Sequence, residues 1–306
     1  MTTIVIASAK RLPAIVRFVA SVFLVIAAYI LAGFIFGMAG YTPLARALYV
    51  SVFLVMLLCG FSTLLFSLDQ VRSSLLAAVG LPFGGDSLRD AAIGIGFGVG
   101  TVSLAVGVVA LVGRVRLQYV GAHADALLVS LWMLVAAAML EEVAFRGYPL
   151  HRLMEAVGTP AAVAITSCLF GLGHLRNPHA SLWAAVNTAE IGGLLALAYV
   201  RTRSLWLPWG IHFGWNAALG LGYGLVVSGY SGFSVLVNGR AEGPRWLTGA
   251  EYGIEASATA TAVIAVAIVL FVVVVRARPV PQIVIAGAQP PRITPDAAGD
   301  RASGIQ

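Results

Sequence analysis

The sequence predicts an all-α, polytopic membrane protein: a bundle of about eight transmembrane helices around an intramembrane polar cavity. Only 10% of the 306 residues are charged and 59% are hydrophobic, with a mean hydropathy of +0.93. A soluble domain carries roughly 25% charged residues, so a soluble enzyme is excluded, and disorder would need low hydrophobicity. Uncharged stretches near the roughly 20 residues of a membrane span recur along the chain: 18–45, 47–68, 91–113, 156–175, 204–239 and 256–275.

Apolar runs predict where each helix lies. In chain order the helices cover about 12–36, 44–67, 88–112, 126–149, 158–176, 181–200, 204–228 and 257–276. Residues 1–278 are expected to form one transmembrane domain with a catalytic core at about 125–230, and a proline-rich segment, 279–306, is expected to be a disordered tail. Alternate glycines in the third helix predict close helix packing: Gly94, Gly96, Gly98 and Gly100.

The basic residues predict an orientation rather than a nucleic-acid surface. The formal charge is +6, and its basic residues lie mainly between predicted helices. With the N-terminus inside, ten Lys and Arg side chains near helix ends face the cytoplasm: Lys10, Arg11, Arg17, Arg72, Arg89, Arg152, Arg201, Arg203, Arg276 and Arg278. Six face outward: Arg46, Arg114, Arg116, Arg176, Arg240 and Arg245. The positive-inside rule then predicts cytoplasmic N- and C-termini. One Lys against 18 Arg hints at a bacterial source, hence a bacterial plasma membrane.

The fourth predicted helix carries an acidic pair. Glu142 and Arg146 are four residues apart, so they share one helix face and can form an ion pair. Glu141 points about 100° away from that face and stays free for chemistry. Charged groups inside a bilayer cost at least about 2.5–3.5 kcal/mol each, so they usually face a cavity or a partner. The alternative interpretation is a purely structural ion pair near the helix end.

Two further helices carry histidines. His174 follows Phe170 by four residues, and His212 precedes Asn216 by four, which puts each pair on one face. At about 1.5 Å rise per residue, Glu141, His212 and His174 lie roughly 16, 13 and 22 Å from the cytoplasmic surface. Because the hydrocarbon core is about 30 Å thick, the three side chains are expected to meet in one cavity.

Asn187 and Glu190 form a fourth polar place, on the sixth predicted helix. They are interpreted as structural residues. Lining the same cavity, or pairing with an arginine, remain alternatives for Glu190.

Known protease chemistries narrow the choice. The sequence has no H-E-x-x-H zinc motif. A membrane aspartyl protease would need two intramembrane aspartates, and Asp125, at a helix start, is the only candidate. The segment 229–232 matches the G-x-S-G of a serine protease, but no histidine follows His212. What remains permits two schemes for peptide hydrolysis: a carboxylate and imidazole that activate water, or Zn²⁺ held by Glu141, His174 and His212.

The three motifs, E-E-x-x-x-R, F-x-x-x-H and H-x-x-x-N, occur in this order on successive helices. In this order they resemble the CAAX prenyl protease 2-like family of CAAX proteases and bacteriocin-processing enzymes. The resemblance covers about residues 125–230, and the stretch from Leu247 to Glu255 is similar to the loop before the last helix in bacterial members.

This resemblance implies an intramembrane endopeptidase acting on a peptide or membrane-protein substrate within membrane lipid. It implies that Glu141 and His174 activate water while His212 and Asn216 bind the oxyanion. The supporting residues are Glu142, Arg146 and Phe170. The resemblance does not decide whether a catalytic Zn²⁺ takes part.

Two other functions compete with proteolysis. A non-catalytic membrane scaffold, or a bacteriocin self-immunity protein, would keep the same fold and motifs. A proton-coupled transporter would also bury Glu and His, but the sequence lacks the two related halves common in transporters. Nucleic-acid binding has no support.

Overall fold

The structure, a computed structural model, describes residues 4–6, 13–36, 42–69, 71, 74–121, 123–277 and 283–285. Helices dominate this part of the chain, as predicted. Within it, five helical segments are long and apolar enough to cross a membrane by length and composition: Ala14–Phe36, Pro43–Ser67, Gly85–Val112, Ala124–Val157 and Leu182–Thr202.

The elements follow one another with short connections until a long loop near the end of the chain. The helices are α1 (Ala14–Phe36), α2 (Pro43–Ser67), α3 (Leu75–Val79), α4 (Gly85–Val112), α5 (Ala124–Phe145), α6 (Tyr148–Val157), α7 (Thr159–Gly173), α8 (Leu182–Thr202), α9 (Trp206–Ala217), α10 (Arg245–Thr248) and α11 (Ala258–Val274). The strands are β1 (Ile4–Ile6), β2 (Arg114–Tyr119), β3 (Val237–Glu242) and β4 (Ile283–Ile285). A 3-10 turn (His174–Arg176) follows α7 and a π turn (Ala218–Gly222) follows α9.

Three predicted helices end earlier than expected. The helix expected at 126–149 stops at Phe145, and α6 begins at Tyr148 with Pro149 in its first turn. Proline has no N–H and cannot continue the hydrogen-bond ladder of the preceding helix, which explains the break. The helices expected at 158–176 and 204–228 likewise give way to the 3-10 turn and the π turn.

Short strands correct the purely helical expectation. β2 and β3 pair antiparallel, with Arg114 opposite Glu242 and Tyr119 opposite Val237. β2 alternates apolar and polar residues, which suits a strand. β1 and β4 pair in parallel, so part of the predicted tail has strand structure. The rest of the tail, 279–282 and 286–306, lies outside the described residues.

A glycine seam joins α4 and α9. It comprises four glycines: Gly94 and Gly98 of α4 with Gly210 and Gly214 of α9. A Cβ atom on any of the four would collide with the backbone of the opposite helix. The predicted close packing is therefore confirmed for half of the alternating glycines, whereas Gly96 and Gly100 face open space in the described part of the chain. The seam sets the position of α9, which carries His212 and Asn216.

A second contact between helices, the Asp69 cluster, joins α1 and α6 to the end of α2. It consists of Asp69, Arg17, Tyr148, Arg152 and Glu155. Asp69 Oδ1 accepts hydrogen bonds from Arg17 and, at 3.1 Å, from Arg152, while Tyr148 donates to Oδ2 at 2.7 Å. Glu155 Oε2 lies 3.2 Å from Arg17 Nη2 and 2.9 Å from Arg152 Nη1. The cluster borders a hydrophobic core that includes Tyr148.

The Asp69 cluster corrects one assumption about loop charge. Arg17 and Arg152 are only 5% and 6% exposed, so neither is a free charge at a helix end. Both were among the ten residues expected to face the cytoplasm. The predicted orientation therefore depends on the remaining residues.

Candidate active site

Glu142 and Arg146 form the ion pair that their spacing predicts. Both side chains are completely buried, and Arg146 Nη1 lies 3.2 Å from Glu142 Oε1. Arg146 Nη2 also donates to the carbonyl oxygen of Gly192 at 3.4 Å. The guanidinium stacks 4.0 Å from the ring centre of Phe170. The pair thus connects the end of α5 with α7 and α8.

His212 lies against this ion pair. Its Nδ1 is 2.9 Å from Glu142 Oε1, and since a carboxylate accepts, Nδ1 carries the hydrogen. A hydrogen bond to one imidazole nitrogen sets what the other nitrogen can do. The Nε2 atom of His212 therefore faces the site, 3.7 Å from Glu141 Oε2.

His174 is oriented by its own helix. It begins the 3-10 turn after α7, and its Nδ1 lies 2.8 Å from the carbonyl oxygen of Phe170. A carbonyl oxygen only accepts, so Nδ1 donates and the neutral ring leaves a lone pair on Nε2. That Nε2 lies 3.8 Å from Glu141 Oε2. The F-x-x-x-H spacing is thus the spacing of this local hydrogen bond.

Glu141 differs sharply from its neighbour Glu142. Its side chain is 33% exposed, against 0% for Glu142. Among the described residues its Oε2 has no hydrogen-bond partner. The distances of 3.7 and 3.8 Å to the two Nε2 atoms exceed a direct hydrogen bond but suit a water molecule held between the groups. The geometry leaves Glu141 available as a base.

A small cavity of about 30 Å³ lies beside the two imidazoles. Its lining includes Phe170, His174, His212 and Asn216 but not Glu141. The expectation that all three side chains line one cavity is therefore met by the two histidines only, while Glu141 approaches their Nε2 atoms from beside it. His212 and Asn216 share one wall, as their spacing predicts. The volume is enough for at least one water molecule, and the amide of Asn216 can donate a hydrogen bond into it.

Glu141, His174 and His212 carry the types of donor atom that a metal site needs. Glu with two His is a ligand set that Zn²⁺ uses in hydrolytic enzymes. Within the described residues, however, no group of three or more His, Cys, Asp or Glu side chains is arranged to hold a metal ion.

Glu190 stands apart from the site. In the part of the chain that the structure describes, it neither lines the cavity nor forms an ion pair, and its Oε2 has no hydrogen-bond partner. Asn187 does line the cavity, but its amide is used structurally: it donates to the carbonyl oxygens of Glu255 and Ser257, each at 2.8 Å.

Sequence reasoning gave no role to three residues at the cavity wall. Glu255 and Ser228, from the loop between α9 and α11, line the cavity together with Trp215 of α9. Trp215 Nε1 donates to Glu255 Oε1 at 3.0 Å. An acid in a loop before a helix gives no signal of such a role, since the contact joins residues 40 positions apart.

The fold and site define an integral membrane protein in which a glutamate and two histidines converge between helices. Residues 123–218, about a third of the chain, match the family model described as type II CAAX prenyl endopeptidase Rce1-like. This match supports the CAAX protease family for the segment that carries the motifs. The matched segment contains all seven motif residues, so the resemblance seen in the sequence is confirmed. The comparisons with curated proteins and with solved structures give no match.

Proposed function

We propose that the chain is an intramembrane endopeptidase that hydrolyses a peptide bond with a water molecule activated by Glu141 and His174. The observation that carries the proposal is the convergence of Glu141 Oε2, without a hydrogen-bond partner among the described residues, on two imidazole Nε2 atoms at 3.7 and 3.8 Å. The match of residues 123–218 to the CAAX prenyl endopeptidase model supports proteolysis in general.

The reaction follows from which of these side chains can accept a proton and which can donate a hydrogen bond. Glu141 accepts a proton from water, and the resulting hydroxide attacks the carbonyl carbon of the scissile bond. His174, with its lone pair on Nε2, holds the water in line. The amide of Asn216 donates to the developing oxyanion. When the tetrahedral intermediate collapses, the C–N bond breaks and the proton held by Glu141 passes to the leaving nitrogen.

His212 has a stricter requirement. Its Nδ1 hydrogen is committed to Glu142, so His212 can donate to the oxyanion from Nε2 only as the imidazolium. Glu142, already paired with Arg146, then stabilises the imidazolium through its hydrogen bond to Nδ1, and the oxyanion balances the charge. This requirement gives the second acid of the E-E motif a part in the reaction without contact with the substrate.

The membrane setting is also part of the proposal. Eight crossings result if α7, α9 with its π turn, and α11 are added to the five long apolar segments. Each of the three has 15–17 residues, or about 22–26 Å of helix, which approaches the roughly 30 Å core. The site then lies at membrane depth, in a bacterial plasma membrane with cytoplasmic termini. Its partners are membrane lipid and a peptide or membrane-protein substrate.

The test is cleavage of a membrane-peptide library, with and without prenylated cysteine, by the purified full chain. Glu141→Ala should lower kcat by about 10²–10⁴-fold, the usual worth of a general base. Glu190→Gln is the matched control, because among the described residues this intrahelical acid neither lines the cavity nor forms an ion pair with a histidine, whereas Glu141 lies beside two. Each protein is assayed with and without a chelator, and a loss of wild-type cleavage that Zn²⁺ restores would establish a metal enzyme.

Cleavage that survives Glu141→Ala in a folded protein would contradict the assignment of the base. A wild type that cleaves nothing, with a cellular phenotype that Glu141→Ala retains, would favour the scaffold or self-immunity function.

A further inference from the structure

The cavity wall includes a loop that lies outside the matched family segment. This loop connects the π turn after α9 to α11 and contains both Ser228 and Glu255. Ser228 sits at the tip of a tight turn closed by the bridge between Val227 and Tyr230, with a backbone φ of 46°. A non-glycine residue rarely adopts such a φ, so surrounding contacts must hold the turn in place.

The carboxylate of Glu255 supplies those contacts. Its Oε1 accepts the indole hydrogen of Trp215 at 3.0 Å. Its Oε2 accepts both the backbone N–H and, at 3.1 Å, the hydroxyl of Ser228. Three donors therefore converge on one carboxylate, and charge-assisted hydrogen bonds of this kind are roughly twice as strong as neutral ones.

Each partner of Glu255 leads directly to a residue of the site. Trp215 is only 4% exposed and precedes Asn216 on α9. The carbonyl oxygen of Ser228 accepts a hydrogen bond at 3.1 Å from Asn177, which follows the 3-10 turn that begins at His174. Glu255 thus connects the helix that carries Asn216 with the segment that carries His174.

The backbone of Glu255 is held independently. Asn187 of α8 donates to the carbonyl oxygens on either side of Ala256, those of Glu255 and Ser257. The side-chain oxygen Oδ1 of Asn187 in turn accepts a hydrogen bond from the hydroxyl of Thr261 of α11 at 2.7 Å. The side chain of Glu255 is therefore aimed from a fixed backbone, and substituting it changes the wall of the cavity without releasing α11.

We propose that Glu255 is a positioning residue of the hydrolytic site, acting through Trp215 and Ser228; this inference rests on the proposed function. Its carboxylate orients the face of α9 that presents Asn216 and holds the Ser228 turn against the cavity. A glutamine cannot replace it, because one of its two terminal groups is an NH₂ that cannot accept from Trp215 or Ser228.

Kinetics of the full chain test the positioning role. Glu255→Gln should lower kcat about 10–100-fold, the range seen when a residue that orients a catalytic group is lost, with KM nearly unchanged. The matched control is Glu251→Gln in the same loop, because Glu251 is 62% exposed and pairs only loosely with Arg245, at 3.7 Å. A Glu255→Gln enzyme that equals the Glu251→Gln enzyme would overturn the proposal.

A double-mutant cycle separates positioning from direct catalysis. Trp215→Phe keeps the ring but removes the indole donor, so it should lower kcat as well. The double variant should then be no slower than the worse single variant, since coupled residues are non-additive. The pH profile of kcat should keep its shape in all three. Wild-type kcat in Trp215→Phe would contradict the action through Trp215. A lost limb of the pH profile in Glu255→Gln would make Glu255 a catalytic residue instead.

Hydrogen exchange gives a readout that needs no substrate. The peptide containing the Ser228 amide should exchange at least about tenfold faster in Glu255→Gln than in wild type, because local opening becomes easier. Exchange at the wild-type rate would contradict the claim that Glu255 holds the Ser228 turn in place. Failure of the proposed function would show as an inactive wild type, whereas failure of this inference would show as active Glu255→Gln with wild-type exchange.

Discussion

His212 Nδ1 lies 2.9 Å from Glu142 Oε1, the same oxygen that accepts from Arg146 at 3.2 Å. One completely buried carboxylate oxygen therefore orients an imidazole and neutralises a guanidinium. The helix that carries Glu141 and the helix that carries His212 are held together through this atom. The E-E-x-x-x-R motif thus holds two helices together and also contains Glu141, the proposed base.

Glu142→Gln should lower the free energy of unfolding by about 3–5 kcal/mol, because it leaves Arg146 buried and without its counter-charge. Adding Arg146→Met removes that uncompensated charge and should recover most of the stability. Activity should not recover, since His212 still lacks its carboxylate. Thermal unfolding and kcat in detergent micelles measure the two effects. A double variant that is no more stable than Glu142→Gln would contradict this explanation.

Phe170→Leu should lower the stability by about 2 kcal/mol, because the ring lies under the desolvated Arg146 guanidinium at 4.0 Å. The same ring contacts His174, with 4.6 Å between ring centres, so kcat should fall too. Phe34→Leu serves as the control, since Phe34 is 82% exposed. Equal melting temperatures for the two variants would show that the stacking adds nothing.

Gly98→Ala should destabilise the fold by about 1–3 kcal/mol, because the added methyl group has to force α4 and α9 apart. Gly100→Ala on the same helix meets open space and should be neutral or stabilising by about 0.5–1 kcal/mol. The comparison uses thermal unfolding of the two variants side by side. If both behave alike, helix propensity rather than the glycine seam decides the outcome.

Asp69→Asn should cost about 3 kcal/mol of stability, because Arg17 and Arg152 are then left with Glu155 alone. Asp86→Asn, an exposed acid in the first turn of α4, should cost less than about 1 kcal/mol. Unfolding of the purified variants is the measurement. A fully stable Asp69→Asn protein would mean that the cluster contributes no net stabilisation.

Local spacing predicted much of the candidate site. Contacts four residues apart follow from the helix itself, so the pairing of Glu142 with Arg146 could be derived before any fold was known. The hydrogen bond from His174 to the Phe170 carbonyl also spans four residues, which explains why the motif has that spacing. The convergence of Glu141 with both histidines followed from their similar depths.

Contacts across long stretches of chain could not be predicted in this way. The Asp69 cluster joins residues up to 138 positions apart, and the β2–β3 pairing joins residues 118 to 128 positions apart. Glu255 reaches the site only because the Ser228 turn folds back toward α9. The break before α6 is different: Gly147 and Pro149 signal it, but the surrounding apolar run favoured one continuous span.

The glycine seam limits which helices can separate to give access to Glu141. Backbone touches backbone along the seam, so no side-chain rotamer can swing aside to open a passage there. We therefore expect α4 and α9 to move as one piece during any opening of the site. Under the proposed function, a polypeptide substrate would have to enter between other pairs of helices.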